Sequence, residues 1–115
     1  MVLPIKGRYL ALIRDGRKTT TVRAWDHCRL VPGQRVVFTN YRESARVRVV
    51  SVAQVALDQL AEHDAIADGF ASLSDMHAAL RAHYADLRAD ARVWVIRFAL
   101  DTGSCQSARA SDESG

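Results

Sequence analysis

The sequence predicts an α+β fold, a small and partly closed β-barrel with flanking helices. Several short runs are rich in β-branched residues or alternate between apolar and polar residues, as strands do, and at least two segments have helical spacing. Closing such a sheet toward a barrel removes strand edges that four or five short strands otherwise leave unpaired. The length of 115 residues fits one domain with one modest core.

The first half of the chain predicts one helix followed by three strands. Residues 7–16, GRYLALIRDG, form a short helix that stops at Gly16, because a glycine readily takes the left-handed conformation of a helix end. The β-branched run TTTVRAW, residues 19–25, predicts a strand. After a Pro-Gly turn, residues 35–39 predict a buried strand, and residues 45–52 alternate between apolar and arginine side chains.

The second half predicts a helical insertion and one more strand. Residues 56–84 separate the early strands from the last one, and their helices are expected to cover one mouth of the barrel and to form the wall of a cleft. Residues 92–100, RVWVIRFAL, alternate again. The remainder is small, polar and without pattern, so we expect one domain at residues 1–101 followed by a disordered tail at residues 102–115.

Net charge, hydropathy and the cysteine and histidine positions limit the classes of function that the sequence allows. The net charge of +3 and the isoelectric point near 9.2 permit a nucleic acid or a phosphorylated ligand without requiring either. No apolar run approaches the ~20 residues of a membrane span, and the N-terminus lacks the pattern of a signal peptide. Two cysteines without a paired spacing indicate reduced thiols in a cytoplasmic protein. The four histidines lack the spacing of metal ligands, so we expect no metal and no cofactor.

The string GRKTTTVR contains one of only two lysines among sixteen basic residues, Lys18. Alternate strand residues share a face, so Thr21 and Arg23 point the same way, with Lys18 just before the strand. An amine that is partly desolvated near arginines has a lowered pKa and can take a proton from a neighbouring hydroxyl. By themselves, however, threonines are ordinary strand residues, and a lone lysine is usually a solvated surface charge.

Several motifs together indicate a family. The segment LALIRDGRKTTTVRAW, followed in order by LVPGQRVVF, RVRVVSV, DAIADGF and VWVIRF, resembles the ASCH domain family across roughly residues 2–100. The most specific mark is the glycine–basic–Lys-Thr-x-Thr-x-Arg string, here residues 16–23. The later turn departs from the usual Gly-Asp and has Gly33 followed by Gln34. The resemblance implies a PUA-like β-barrel.

The resemblance also implies a candidate catalytic set. The family includes RNA-binding modules, a branch similar to ribonucleases, and small bacterial enzymes that hydrolyse the amide of N4-acetylcytidine. Those amidohydrolases use a lysine, a threonine three residues later and a glutamate from the helical insertion, which correspond here to Lys18, Thr21 and Asp68. The aspartate is one methylene shorter than the glutamate. Glu62 and Asp64 are the alternative acids.

Three further residues are candidates for substrate binding. Arg23 either binds a phosphate or nucleobase or pairs with a carboxylate, and Trp25 and Tyr41 either stack on a base or pack in the barrel. The predicted function is therefore hydrolysis of N4-acylated cytosine compounds, with a nucleoside or nucleobase as the small-molecule partner. The alternative is an RNA-binding module with or without ribonuclease activity, for which Arg46 and Arg48 on one strand face form a small basic stripe.

Overall fold

The structure is a computed structural model that describes residues 1–101, and the predicted tail at residues 102–115 lies outside the described residues. No helix within the described part of the chain is both long enough and apolar enough to traverse a bilayer. The elements, in chain order, are β1 (Val2–Pro4), α1 (Gly7–Arg14), β2 (Thr20–Arg23), β3 (Arg35–Thr39), β4 (Ser44–Ala56), a 3₁₀ turn (Leu57–Gln59), α2 (Glu62–Ala67), α3 (Leu73–His83) and β5 (Arg92–Leu100).

The five strands form one mixed sheet in the order β1-β3-β4-β5-β2, curled into a half-barrel with β1 and β2 at its two edges. Only β1 pairs in parallel, with β3, and the other neighbours are antiparallel. The α+β, PUA-like prediction is confirmed. Strand β1 was not predicted, because three residues ending in Pro4 carry no alternation.

Two hydrophobic clusters lie on the two faces of β5. Alternate residues of a strand point to opposite faces, so Phe98 joins the first cluster with α1, whereas Val95 joins the second with α2 and α3. The first cluster comprises Leu10, Ile13, Leu30, Val36, Phe38, Ala45, Val47, Val49, Ile96 and Phe98. The second comprises Val22, Leu57, Leu60, Ala65, Met76, Leu80, Val93 and Val95.

Strand β4 contains a bulge that the alternation did not predict. Val49 pairs with Phe98 and Ser51 with its neighbour Arg97, so Val50 is the extra residue and its side chain is exposed. Before the bulge, the odd-numbered residues 45, 47 and 49 face the first cluster, whereas after it the even-numbered Val52 does. As a result the strand continues to Ala56, four residues beyond its predicted end.

The turn after α1 fixes the position of Lys18. Helix α1 ends at Arg14, and Gly16 follows with a φ of +80°, the left-handed conformation expected at its stop. The backbone N–H groups of Arg17 and Lys18 then both donate to the carbonyl oxygen of Leu12, at 2.9 and 3.1 Å. The chain therefore reverses tightly and enters β2 with Lys18 directed toward the interior.

Strand β2 is shorter than predicted, at residues 20–23 rather than 19–25, and it is an edge strand. It pairs only with β5, and the N–H of Phe98 donates to the carbonyl of Thr19 on that side. The backbone groups of Thr20 and Val22 therefore point to the free edge, where no further strand pairs with them.

Candidate active site

Lys18 lies at this free edge with a side chain that is almost fully buried. Its Nζ donates to the carbonyl oxygen of Thr20 at 2.8 Å, to the carbonyl oxygen of Asp68 at 2.8 Å, and to Oδ1 of Asp68. An ammonium group has three N–H donors, and these three acceptors use all of them. Lys18 and Asp68 thus form a buried ion pair.

Asp68 reaches this position because α2 ends against the edge of β2. Its second oxygen, Oδ2, accepts a hydrogen bond from the backbone N–H of Val22 at 3.2 Å. The next residue, Gly69, has a φ of +98°, and a Cβ there would lie 3.0 Å from Cδ1 of Leu12 and 3.8 Å from Cβ of Lys18. Glycine therefore meets both the backbone conformation and the close approach that bring the carboxylate to the lysine.

The two side chains also complete the sheet edge. Lys18 binds the outward carbonyl of Thr20, and Asp68 binds the outward N–H of Val22. Both backbone groups would otherwise be buried without a partner, which costs about 1–3 kcal/mol each. The pair therefore stabilises β2 in addition to placing an amine and a carboxylate at the site.

Burial shifts the pKa values of Lys18 and Asp68 in the directions that favour their neutral forms. Desolvation lowers the pKa of Lys18 and outweighs the attraction of Asp68, which raises it, while Arg23 lowers it further. Desolvation likewise raises the pKa of Asp68 against the opposing effect of Lys18. Burial therefore disfavours the charged form of each group, which reduces the free energy needed to move a proton from the amine to the carboxyl group.

Thr21 and Arg23 share a face of β2, as predicted from strand alternation. Nε of Arg23 donates to Oγ1 of Thr21 at 3.0 Å, and the guanidinium carbon lies 5.6 Å from the centre of the Trp25 ring. No hydrogen bond joins Lys18 to Thr21 within residues 1–101, so the hydroxyl proton of Thr21 remains available to a base. The N–H of Val22, the third residue of the strand, binds Asp68.

These groups line a cleft of about 590 Å³, within the range of small-molecule sites. Its walls combine aromatic rings with basic side chains, and among residues 1–101 Asp68 is the only acidic residue that lines it. The aromatic residues are Tyr9, Tyr41, Phe70 and Tyr84, and the basic ones are Lys6, Arg8, Lys18, Arg23 and His83.

Most of the predicted site residues meet in this cleft. Lys18, Thr21, Arg23, Tyr41 and Asp68 all line it. Tyr41 stands at its mouth, 84% exposed, with a φ of +71° that is unusual for an aromatic residue.

The remaining candidates lie elsewhere. Trp25 is not among the lining residues: its ring packs against the first cluster, and its carbonyl oxygen accepts from Nε1 of Trp94 at 3.0 Å. Asp64 caps the start of α2 through the N–H of Ala61, at 2.8 Å. Glu62 accepts from the N–H of Leu73, at 3.2 Å. The alternative acids thus hold helix ends, and neither lines the cleft.

Three aromatic residues of the site were not predicted. Tyr9 lies with its ring centre 5.7 Å from Nζ of Lys18 and 5.7 Å from the ring centre of Phe70, which also lines the cleft. Tyr84, at the end of α3, is the third. In the sequence, Tyr9 is only an aromatic residue within the predicted helix at residues 7–16. From sequence alone, an aromatic residue in a helix is expected to pack in the core. That Tyr9 also lines the cleft depends on its contact with Lys18, which lies outside the helix.

Metal ligation finds no support in the arrangement of side chains. Among residues 1–101 no group of three or more histidine, cysteine, aspartate or glutamate side chains comes together in a way that could hold a metal ion. The polar side chains that line the cleft include amines, guanidinium groups, hydroxyl groups and one carboxyl group of the described residues.

Comparison with solved structures identifies the fold. An ASCH domain from Lactobacillus crispatus superposes with a TM-score of 0.73 at 20% identity, covering 81% of this chain and 70% of the other. The chain has the ASCH-domain fold. A protein from Enterococcus faecalis also superposes on this chain, with a TM-score of 0.69 at 20% identity, covering 87% of this chain and 78% of the other.

A mutant ASCH protein from Zymomonas mobilis is also similar, with a TM-score of 0.63 at 14% identity, covering 85% of this chain and 67% of the other. No family model and no curated protein matches the sequence. The ASCH fold thus rests on three-dimensional similarity.

Proposed function

We propose that this protein is an amidohydrolase that cleaves the amide of N4-acylated cytosine compounds. The observation that carries the proposal is the buried Lys18–Asp68 pair, which lines the same cleft of small-molecule size as Thr21. The proposal takes Thr21 as nucleophile, Lys18 as base and Asp68 as its acidic partner. A cytoplasmic location, where nucleosides occur, is part of the same proposal.

The first step prepares the base. A proton moves from Nζ of Lys18 to Oδ1 of Asp68, which leaves a neutral amine and a neutral carboxylic acid. The directions of both pKa shifts support this step, because burial disfavours each charged form. The amine then turns its lone pair toward Thr21.

The second step is acyl transfer. Oγ1 of Thr21 attacks the carbonyl carbon of the substrate amide, and its proton passes to Nζ of Lys18. As the tetrahedral intermediate collapses, the C–N bond breaks, and Lys18 returns that proton to the exocyclic nitrogen, which leaves as the amine of cytosine. Water then attacks the carbonyl carbon of the threonine ester, with Lys18 accepting its proton. As this second tetrahedral intermediate collapses, the bond between the carbonyl carbon and Oγ1 breaks, Lys18 returns the proton to Oγ1, and the carboxylic acid is released.

The neighbouring groups bind and orient. Arg23 donates to Oγ1 of Thr21, which lowers the energy of the developing alkoxide, and its charge favours the oxyanion of the intermediate. Tyr41 at the mouth supplies a flat surface on which a pyrimidine stacks. Trp25 supports the guanidinium of Arg23 from behind instead of touching the substrate.

The proposal is tested by incubating the purified protein with N4-acetylcytidine and following cytidine release by chromatography. Wild type is expected to release cytidine and acetate in equal amounts. Thr21→Ala is expected to release neither, and Arg48→Ala, a charge change on the exposed face of β4, serves as the matched control. A wild-type protein that hydrolyses no N4-acylcytosine compound refutes the proposal.

One observation favours RNA binding as a second candidate. Three exposed arginines lie on β3 and β4: Arg35, Arg46 and Arg48. Arg35 and Arg48 are directly opposite each other on the two antiparallel strands, so their positive charges are adjacent. RNA binding through such a surface weakens steeply with salt. Binding of single-stranded RNA that is lost in Arg46→Ala and Arg48→Ala but kept in Lys18→Ala is expected for this candidate.

A further inference from the structure

We propose that the cleft also contains a phosphate subsite at Lys6 and Arg8, so that its preferred substrate is a cytidine 5′-monophosphate derivative and not the free nucleoside. This inference rests on the proposed function for the base and its acyl group. The inference adds that the 5′-phosphate of the substrate binds at the mouth of the cleft.

The charges of the cleft are unbalanced. Lys18 and Asp68 neutralise each other in their ion pair. Lys6, Arg8 and Arg23 also line the cleft, and none of the three forms an ion pair within the part of the chain that the structure describes. A concave surface with three cations and no available carboxylate attracts an anion.

Arg8 is held over the cleft at a suitable distance from the reacting groups. Its Nη2 donates to the hydroxyl oxygen of Tyr9 at 3.3 Å, and its guanidinium carbon lies 4.9 Å from the centre of the Tyr9 ring. Nζ of Lys18 lies 5.7 Å from that ring centre, so the two cations are at most about 10.6 Å apart. Both cations line one cleft, so a single small ligand can contact Arg8 with its phosphate and the Lys18 side of the cleft with its base.

Lys6 and Tyr41 border the same mouth. Lys6 precedes α1 and makes no side-chain hydrogen bond to the described residues, and the first turn of the helix contains no acidic residue. A Cβ on Gly7 would lie 3.1 Å from Nδ2 of Asn40, so the start of α1 packs directly against the turn that carries Tyr41. The turn that carries Tyr41 therefore lies next to the segment that carries Lys6 and Arg8.

The arrangement fits a single phosphate better than a polynucleotide. The unpaired cations converge on one cleft of about 590 Å³. A surface that binds RNA instead distributes its lysine and arginine side chains so that they contact several phosphates. Arg46 and Arg48, the exposed stripe on β4, do not line the cleft. A mononucleotide is the ligand that uses Lys6, Arg8 and the aromatic mouth together.

The first test compares kcat/KM for N4-acetylcytidine and for its 5′-monophosphate. We expect wild type to prefer the monophosphate by about tenfold to a hundredfold, since hydrogen bonds to charged groups are worth this much. The preference should fall toward one in Lys6→Ala/Arg8→Ala and shrink with added salt, whereas Arg48→Ala should keep it. Equal kcat/KM values for the two substrates in wild type overturn the inference, as does an unchanged preference in the double variant.

A binding measurement separates this inference from the proposed function. Calorimetric titration with cytidine 5′-monophosphate and with cytidine needs no hydrolysis, and the monophosphate is expected to bind more tightly by a similar factor through Lys6 and Arg8. Phosphate-dependent binding without hydrolysis of either acylated compound refutes the amidohydrolase and leaves the subsite standing. Tighter binding of a short cytidine-containing RNA, lost in Arg48→Ala, overturns the subsite in favour of a polynucleotide.

Discussion

Nε of Arg23 donates a hydrogen bond to Oγ1 of Thr21, two positions earlier on the same face of β2. A charged donor on a hydroxyl oxygen makes that oxygen easier to deprotonate and leaves its hydrogen free for a base. This contact orients the proposed nucleophile, because Lys18 forms no hydrogen bond to it within residues 1–101. The effects of substitution at the two positions should therefore be linked.

Removing the guanidinium is expected to slow acyl transfer. Arg23→Gln should lower kcat about 10²- to 10³-fold, the loss typical of one donor to a developing oxyanion. Thr21→Ser should keep partial activity because a hydroxyl remains, and Thr21→Ala should have none. Steady-state kinetics on N4-acetylcytidine check this, and an Arg23→Gln variant with wild-type kcat would show that the contact has no part in the reaction.

Replacing the amine by another cation is expected to abolish turnover. Lys18→Arg keeps a positive charge, but a guanidinium does not deprotonate in proteins. We expect a loss of at least about 10² in kcat, the lower end for general base catalysis. The melting temperature of each variant serves as a folding control. Wild-type turnover in Lys18→Arg would contradict a base at this position.

The pH dependence should move in opposite directions in two variants. Lys18 must be neutral to act as a base, and it can lose its proton to solvent as well as to Asp68, so kcat/KM should rise with pH through its pKa. Asp68 raises the pKa of Lys18 and Arg23 lowers it. Asp68→Asn should therefore shift the rising limb to lower pH and Arg23→Gln should shift it to higher pH. Measurement of residual kcat/KM from pH 5 to 10 checks the signs, and shifts in the same direction would exclude Lys18 as the titrating group.

The carboxyl group of Asp68 also stabilises the edge of β2, and this structural role can be tested separately from its proposed role in catalysis. Asp68→Asn retains an oxygen that can accept from the N–H of Val22, whereas Asp68→Ala leaves that N–H without its partner. The alanine variant should be less stable than the asparagine variant by about 1–3 kcal/mol, the cost of one buried unsatisfied group. Urea denaturation of both variants measures the difference, and equal stabilities would argue against the role of Asp68 at the strand edge.

Two glycines allow conformation and close approach to be distinguished. Gly69→Ala and Gly33→Ala both place a side chain at a positive φ, +98° and +89°, at a cost of roughly 1–2 kcal/mol. Only at Gly69 does the new Cβ meet another residue, at 3.0 Å from Leu12, whereas nothing lies within 4 Å of it at Gly33. Gly69→Ala should therefore lose more stability, and also activity. Equal losses in thermal unfolding would mean that the contact is relieved without cost.

Local sequence patterns predicted the elements with strong local signals. The helix that stops before Gly16 and the strand at residues 35–39 agree with the structure, because a left-handed glycine and a compact β-branched run each act within a few residues. The bulge at Val50 was missed, since it depends on the pairing of β4 with β5 and leaves no trace in alternation. The end of β2 at Arg23 likewise depends on its partner strand.

The candidate site was predicted unevenly for the same reason. Lys18, Thr21 and Arg23 lie within six residues, and their strand geometry could be deduced directly. Asp68 came from the family resemblance, because 50 residues separate it from Lys18 and no local pattern connects them. The aromatic wall at Tyr9 and the start of α1 at the cleft mouth emerged only from the packed structure.

The bulge at Val50 has a consequence for how the domain unfolds. Because it shifts the alternation within β4, this one strand contributes to both hydrophobic clusters, and β5 does so through its two faces. Neither cluster can open while the other keeps both strands in place, so the two halves should melt as one cooperative unit. Backbone amides of β4 and β5 should accordingly exchange with solvent deuterium only through global unfolding, whichever cluster their side chains join.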